Sequence, residues 1–408
     1  MPDITRTVDA VWRIESARIV ATLARMTGDV GLAEDLAQEA LVDALEQWPG
    51  SGVPQNAGAW LTTVAKRKAI DGWRRWERLD ERYRAIARDL ETVTDDEWEP
   101  IADDVLRLIF TSCHPVLARE AQVALTLRVV GGLTTEEIAR MLLSSVPAVQ
   151  QRIVRAKRTL SAARVPFRAP EPEEWSERLG GVLGVIYLIF TEGYAATGGD
   201  RWFRADLADE ALRLGRILAG LLPAESEVHG LVALMEFQAS RFGARVDAGG
   251  DPILLADQDR TRWDHTQIGR GRAALARADQ GDRGRGNYAL QASIAECHAV
   301  APTVAATDWD RIVLLYEALG RIAPNPVVEL NRAVAVSMAT GPQEALGIVD
   351  RLVRENRLGG SHLLPSVRGE LLLRLGRMPE ARDELLRAAE LTTNDRQRAV
   401  LQAKAEGL

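Results

Sequence analysis

The chain has 408 residues, enough for two or three domains, and 46% of them are hydrophobic, which excludes a disordered polypeptide. The net charge of −7 means that any contact with nucleic acid must rest on local basic faces. Two cysteines, Cys113 and Cys297, exclude a disulfide framework and suit a reducing compartment. The first four residues lack a basic segment leading into an apolar one, so we expect no signal peptide and a cytoplasmic location. The longest apolar run, residues 180–190, is too short to cross a bilayer and predicts a buried helix, not a membrane anchor.

Apolar residues recur at three and four positions through nearly the whole chain, which predicts an all-α fold. Helices are expected at residues 8–26 and 32–48 and, as one long element, at 57–84. Between them, residues 49–56 contain Pro and Gly and are expected to form a loop. Acidic residues 89–102 read as a linker, and a compact helical region follows from 103 to 168. A second linker opens a helical extension at residues 169–408.

A helix-turn-helix is the sharpest local signal, at residues 133–160. Thr134 and Glu137 form a capping box that starts the first helix, and Pro147 suits the first turn of the second. The second helix buries one apolar stripe. Its other faces are polar or basic, and from residue 138 to 170 there are seven basic residues and no acidic one. Such a helix can read base edges through its first turns and neutralise phosphates through its later ones. The candidate DNA-binding residues are Ala148, Gln150, Gln151, Arg152, Arg155, Lys157 and Arg158.

With its surroundings, this segment resembles region 4 of extracytoplasmic-function sigma factors, the group IV sigma factors of bacterial RNA polymerase. The resemblance implies that it reads the minus-35 promoter element. Ala148 stands where such proteins often have Thr. Residues 33–40 resemble the helix that docks on the β′ clamp helices of the polymerase, which implies docking residues Asp35, Gln38, Glu39 and Asp43.

Residues 60–75 resemble the helix that captures the minus-10 element. Positive charge interleaved with an aromatic ring suits melted DNA, because phosphates need cations and unstacked bases need a flat surface. The loop before this helix lies where the family holds a flipped base. Arg67 stands where many relatives have Asn, and Trp73 is equally suited to a protein core. The implied minus-10 residues are Asn56, Lys66, Arg67, Ile70, Trp73, Arg74, Arg75 and Arg78.

The resemblance gives four parts: residues 1–88 as sigma region 2, 89–102 as acidic linker, 103–168 as region 4, and 169–408 as an extension. Small and apolar residues recur in the extension 36 positions apart, as in tetratricopeptide repeats. The extension resembles that of a sigma-factor family with such C-termini, which implies that it tunes activity through an intramolecular contact or an unknown protein partner. The expected main partners are core RNA polymerase, through its β′ and β subunits, and promoter DNA. The residues forming this repeat pattern are Ala333, Ala345, Val349 and Leu352, followed by Gly369, Ala381, Leu385 and Ala388.

No catalytic or cofactor-binding motif is present, so neither enzyme activity, a cofactor nor a metal is expected. The segment at residues 257–265 predicts a capping and salt-bridge loop, with a small-molecule site as the alternative. A helix-turn-helix repressor or activator that uses the repeats as a sensor is the alternative to a sigma factor, and a pure interaction scaffold is a third possibility.

Overall fold

The computed structural model describes residues 4–76, 102–142, 144–171, 173–194, 205–245, 253, 255–281, 284–358, 360–392 and 395–408. Within these ranges the regular structure is helical, as predicted, with short 3-10 turns and no strand. The α-helices are α1 (Ile4–Thr27), α2 (Val30–Ser51), α3 (Ala57–Trp76), α4 (Ala102–Ser112), α5 (Arg119–Val129), α6 (Thr135–Met141), α7 (Val146–Ala162), α8 (Trp175–Tyr194), α9 (Ala205–Leu221), α10 (Ser226–Ala239), α11 (His265–Ala278), α12 (Asn287–Val300), α13 (Trp309–Ile322), α14 (Pro326–Ala339), α15 (Pro342–Arg354), α16 (Leu363–Arg374), α17 (Met378–Leu391) and α18 (Asp395–Glu406).

The chain forms two compact units. The first contains residues Met1–Gly193 and Asp206–Leu221, and therefore α1 to α7 together with α8 and α9. The second contains Tyr194–Ala205 and Leu222–Leu408. Two helices from beyond the linker at residue 169 thus belong to the first unit, while the four-part division drawn from the sequence stays a prediction.

Helices α1, α2 and α3 pack on one another around an apolar core. Asp29 is the N-cap of α2, and its side chain accepts a hydrogen bond from the Leu32 N–H at 3.0 Å. Trp48 is fully buried and meets the ring of Trp60 edge-on, with centroids 5.3 Å apart. This aromatic pair fixes the end of α2 against the start of α3.

The sequence predicts a loop at residues 49–56, but its start is wrong, because Pro49, Gly50 and Ser51 are helical. Proline lacks only its own N–H. The helix continues for a turn because donors that follow Pro49 still bond to carbonyls that precede it. The Gly52 N–H bonds to the Trp48 carbonyl at 2.9 Å, and the Ser51 hydroxyl donates to the Gln47 carbonyl at 3.0 Å. Gly52, with φ of +82°, ends the helix in a conformation that suits glycine. The long helix was expected to reach residue 84; residues 77–84 lie outside the described residues.

In the second unit each helix packs on the next along the chain, as the repeat pattern predicts, and α10 also packs on α12. Its predicted packing residues are buried, including Ala333 and Val349 in one hairpin and Ala381 and Leu385 in the next. Gly369 is buried where α16 meets α17, and a Cβ on it would lie 3.0 Å from Leu385 Cγ. The predicted final helix is present as α18.

The apolar run at residues 180–190 lies in α8 and is largely buried, as predicted. Among the described residues, no helix has both the length and the apolar character that crossing a membrane requires.

Gly369→Val is expected to lower the midpoint of urea unfolding, because the new methyl groups must displace Leu385 from a packed position. Overpacking of this kind costs about 1–3 kcal/mol. Gly347→Val is the matched control, since Gly347 is also helical but a Cβ there meets nothing within 4 Å. The measurement is far-UV circular dichroism during urea titration. Equal midpoints for the two variants would contradict the close packing at Gly369.

Candidate nucleic-acid interface

The helix-turn-helix forms as the sequence predicts. The Glu137 N–H donates to Thr134 Oγ1 at 3.1 Å, and Glu137 Oε2 accepts from the Thr134 N–H at 2.8 Å. Burial opposes ionisation of Glu137, but the Thr134 N–H and the Arg13 guanidinium hold its pKa below the ordinary value. Ser145 caps α7 by accepting from the Ala148 N–H at 3.3 Å, and Pro147 lies in the first turn. These caps set the angle at which α7 leaves the turn.

Helix α7 buries its apolar stripe, Val149, Ile153, Ala156 and Leu160, as predicted. Most of the candidate minus-35 residues lie on its exposed side. Arg152 is half-buried, and Lys157 is turned into a contact with α2. The exposed candidates are Ala148, Gln150, Gln151, Arg155 and Arg158.

The candidate minus-10 residues divide into those the structure describes and those it does not. Asn56 caps α3 by accepting from the Ala59 N–H at 3.0 Å. Arg67 is exposed, while Lys66 and Ile70 are half-buried on the same helix. The side chains of Trp73, Arg74 and Arg75, and the whole of Arg78, lie outside the described residues.

The candidate docking residues lie along α2. Glu39 and Asp43 face Lys68 of α3, with Nζ–carboxylate distances of 3.7 and 3.0 Å. Gln38 immediately precedes Glu39 in the sequence and is half-buried. Asp35 is 67% exposed and accepts from Lys157 Nζ at 2.8 Å. A predicted polymerase-docking residue is thus paired with a predicted DNA-binding residue.

At the centre of this contact is Glu34, whose side chain is only 5% exposed. Its Oε1 accepts from Arg128 Nε at 2.7 Å, and its Oε2 pairs with Lys157 Nζ. Burial opposes the charge on Lys157, but Glu34 and Asp35 raise its pKa above the ordinary value. One buried carboxylate therefore holds two cations, one from α5 and one from α7.

Further contacts join the region 2 helices to region 4. Arg25 Nε of α1 lies 2.8 Å from Asp104 Oδ2 of α4. Arg13 of α1 lies 2.5 Å from Glu137, the capping-box residue. Gly132 has φ of +68°, and a Cβ there would lie 2.3 Å from the Ser16 hydroxyl of α1. Glycine is required at this close approach, so the two regions form one packed body.

Helices α8 and α9 also pack on region 4. Arg178 of α8 donates from Nη2 to the Phe110 carbonyl at 3.0 Å. Arg213 of α9 donates from Nη2 to the carbonyls of Val130 at 3.4 Å and Gly131 at 3.2 Å. These carbonyls follow the end of α5, immediately before the helix-turn-helix. Glu210 orients Arg213 at 2.7 Å.

Reasoning from the sequence missed Glu34 and Arg128. Glu34 stands in the docking motif next to Asp35, but its partner Lys157 is 123 residues away in the chain. The helical spacing could have indicated this contact. Glu34 lies one turn before Gln38 and between apolar Ala33 and Leu36, which places it at the edge of the buried stripe of α2. An acidic residue at the edge of a buried stripe requires a cation from another element.

Three family models match the chain in this order. Sigma-70 region 2 matches residues 13–79, sigma-70 region 4 matches residues 107–160, and a family of unknown function, DUF6596, matches residues 178–279. An uncharacterised protein of Rhizobium meliloti is 43% identical over 403 residues, covering 95% of this chain and 93% of that protein.

Two mycobacterial proteins match the N-terminal part. The probable ECF RNA polymerase sigma factor SigI of Mycobacterium tuberculosis is 29% identical over 163 residues, which are 39% of this chain and 56% of SigI. The ECF RNA polymerase sigma factor SigK of the same species is 29% identical over 150 residues, which are 35% of this chain and 78% of SigK.

A region 2 body and a region 4 helix-turn-helix in one chain define an RNA polymerase sigma factor. The chain belongs to the extracytoplasmic-function sigma factors, and it carries a long helical C-terminal extension. The resemblance inferred from the sequence is confirmed. Its class implies core RNA polymerase and promoter DNA as partners.

Proposed function

We propose that α3 captures the minus-10 element, α7 reads the minus-35 element, and the acidic face of α2 docks on the β′ clamp helices of cytoplasmic RNA polymerase. Region 4 is then held near the polymerase β subunit. The observation that carries this proposal is the exposed polar and basic side of α7, fixed by two caps and a buried stripe. Sigma factors are initiation factors, so the chemistry of RNA synthesis belongs to the polymerase.

The residue types on α7 suit separate tasks. Gln150 and Gln151 lie in its first two turns, where side chains reach base edges in the major groove. Arg155 and Arg158 follow a turn or two later and suit phosphates. On α3, Lys66 and Arg67 supply positive charge for melted DNA.

Run-off transcription with core polymerase and the full chain, on a promoter library, tests this proposal. Lys66→Ala, Arg67→Ala and Arg74→Ala together are expected to abolish specific transcripts, because melted DNA loses its cationic surface. Arg155→Ala is expected to weaken binding of all duplex sequences alike and to lower the salt dependence of binding by about one ion, because a phosphate contact is lost. Arg164→Ala is the matched control, since Arg164 is an exposed arginine just past the end of α7.

Full transcription by the triple variant would contradict the assignment of α3. Binding of duplex DNA by the full chain without any transcript would instead favour a helix-turn-helix repressor.

The proposed function requires regions 2 and 4 to separate. The minus-10 and minus-35 elements are about 25 base pairs apart, which is roughly 85 Å of duplex. In the free chain, α2 and α7 touch: a Cβ on Gly31 would lie 3.3 Å from Lys157 Cβ. Because α3 packs on α2, contact between α2 and α7 keeps the two DNA-reading helices too close together to reach both elements. The cluster formed by Glu34, Asp35, Arg128 and Lys157 must therefore break when promoter DNA is bound. Its breaking also releases Asp35 for docking and Lys157 for a phosphate.

Glu34→Gln is expected to raise the affinity of the free chain for promoter duplex about three- to tenfold. The closed form, in which α2 and α7 touch, loses its central charge, so separating the two regions costs less free energy. Glu34 is buried and lies outside the proposed docking face, so the variant keeps both binding surfaces. Glu46→Gln, at an exposed position of the same helix, is the control. The measurement is fluorescence anisotropy at fixed salt. Unchanged affinity in Glu34→Gln would show that this cluster does not limit binding.

The extension is proposed to tune activity by supporting region 4 through α8 and α9. A chain ending at residue 221 keeps these helices, whereas one ending at residue 168 removes them. We expect the longer truncation to transcribe better than the shorter one, because the Val130 and Gly131 carbonyls keep their donor Arg213. The comparison uses run-off transcription at matched concentrations, with circular dichroism as the control for folding. Equal transcription by the 1–168 chain and the full chain would rule out tuning.

A further inference from the structure

The second unit contains a cleft that the sigma function does not use. Its volume is about 340 Å³, and it lies between α12, α13 and α14 beside the 3-10 turns at Leu255–Asp257 and Arg260–Arg262. This is near the lower end of the range for ligand pockets, about 300–1,000 Å³, and suits a compact molecule. Its walls are mostly apolar and aromatic: Trp309, Ile312, Val304, Val334 and Met338.

Arg260 brings a positive charge to this apolar wall. Its Nη1 donates to the backbone carbonyls of His298 at 2.7 Å and Ala301 at 2.6 Å, and its guanidinium lies 4.9 Å from the centre of the Trp263 ring. Among the described residues, no carboxylate pairs with Arg260 and no acceptor bonds to its Nε or Nη2. Carbonyl oxygens and a ring face hold the guanidinium in place but do not neutralise it.

The other polar groups around the cleft leave its charge positive. His298 meets Trp309 edge-on at 5.2 Å, and burial together with Arg241 and Arg260 lowers its pKa to about 4, so it is neutral near pH 7. Burial raises the pKa of Tyr316 to about 12, so its phenol remains protonated as a hydrogen-bond donor. Asn331 adds an exposed amide at the mouth. Among the residues that the structure describes, no acidic side chain lines the cleft.

The segment that supplies Arg260 was expected to be a capping and salt-bridge loop. The caps are confirmed: Asp259 Oδ1 accepts from the Thr261 N–H at 3.0 Å, and Asp264 Oδ1 accepts from the Gln267 N–H at 2.9 Å. The salt bridges are not found among the described residues: Asp257, Asp259 and Asp264 are all exposed, and the last two act as caps. The arginine is left to face the cleft.

We propose that this cleft binds a small organic carboxylate, with its apolar or aromatic body between Trp309, Ile312 and Val334 and its carboxylate on Arg260. Tyr316 donates a hydrogen bond to the same ligand. The proposal concerns the repeat unit alone and does not depend on the sigma function. An apolar wall favours an organic acid over inorganic phosphate, since the body of the ligand removes apolar surface from water.

Isothermal titration calorimetry on the full chain tests this, with benzoate, 2-naphthoate and decanoate as probes. The neutral amide 2-naphthamide has the shape of 2-naphthoate without its charge. We expect saturable binding of at least one carboxylate, and about tenfold weaker binding of the amide, since a charged hydrogen bond is lost. Inorganic phosphate is expected not to compete.

Two variants locate the site. Val334→Trp fills the mouth from a position that is 38% exposed, and is expected to weaken the bound carboxylate about tenfold. Leu386→Trp, at a position 37% exposed that does not line the cleft, is the matched control. Arg260→Gln is expected to remove the preference for carboxylate over amide. If it fails to fold, the amide comparison and Val334→Trp still decide.

The proposal would be overturned by no saturable binding of any of the three carboxylates, by equal affinity for 2-naphthoate and its amide, or by unchanged affinity in Val334→Trp. Competition by phosphate at equal concentration would also overturn it, because the apolar wall would then contribute nothing. Transcription is not measured, so failure here leaves the sigma function untouched.

Discussion

The first unit depends on the burial of one carboxylate, Glu34. An ionised carboxylate taken out of water loses several kcal/mol of hydration, and only well-placed cations can offset this loss. Arg128 and Lys157 occupy its two oxygens, so both must remain in place while Glu34 is buried. Because Arg128 belongs to α5 and Lys157 to α7, the same charge fixes the end of region 4 that carries α7, the helix proposed to read DNA.

An ionic contact between regions 2 and 4 suits a packed form that, under the proposed function, must also open. A purely apolar interface of the same area would gain stability from every methylene, and it would leave exposed apolar surface on opening. Here the groups that separate are charged, and each gains hydration or a new partner when it leaves. Under the proposed function, Lys157 exchanges a carboxylate for a phosphate, and Asp35 exchanges a lysine for a polymerase surface. The closed and open forms are therefore closer in free energy than the burial of Glu34 alone implies.

The sequence allowed the local structure to be predicted well. The Thr134–Glu137 capping box, the buried stripe of α7 and the small residues of the repeats all depend on spacings within one or two helices, and such spacings are visible in the chain. The error at Pro49 has the same origin, since proline signals an ending that the bond from Gly52 to Trp48 delays by one turn. Charge pairs between distant parts of the chain were not predictable, because nothing in the sequence near Glu34 or Lys157 indicates that the two residues pair. Their pairing depends on how α2 and α7 pack, which only the tertiary structure supplies.

Glu34 and Arg260 show two outcomes of placing a charge near apolar surface. Glu34 meets two cations from its own chain, so its charge is compensated and its effect is structural. Arg260 donates hydrogen bonds to backbone carbonyls and packs on a tryptophan ring. These contacts hold the guanidinium in place without neutralising its charge. A guanidinium held rigid in this way has already lost its side-chain entropy, so an incoming anion gains the ion pair without the cost of ordering it. The same physical rule that closes the first unit on itself thus leaves the second unit with an unmet preference for a negative ligand.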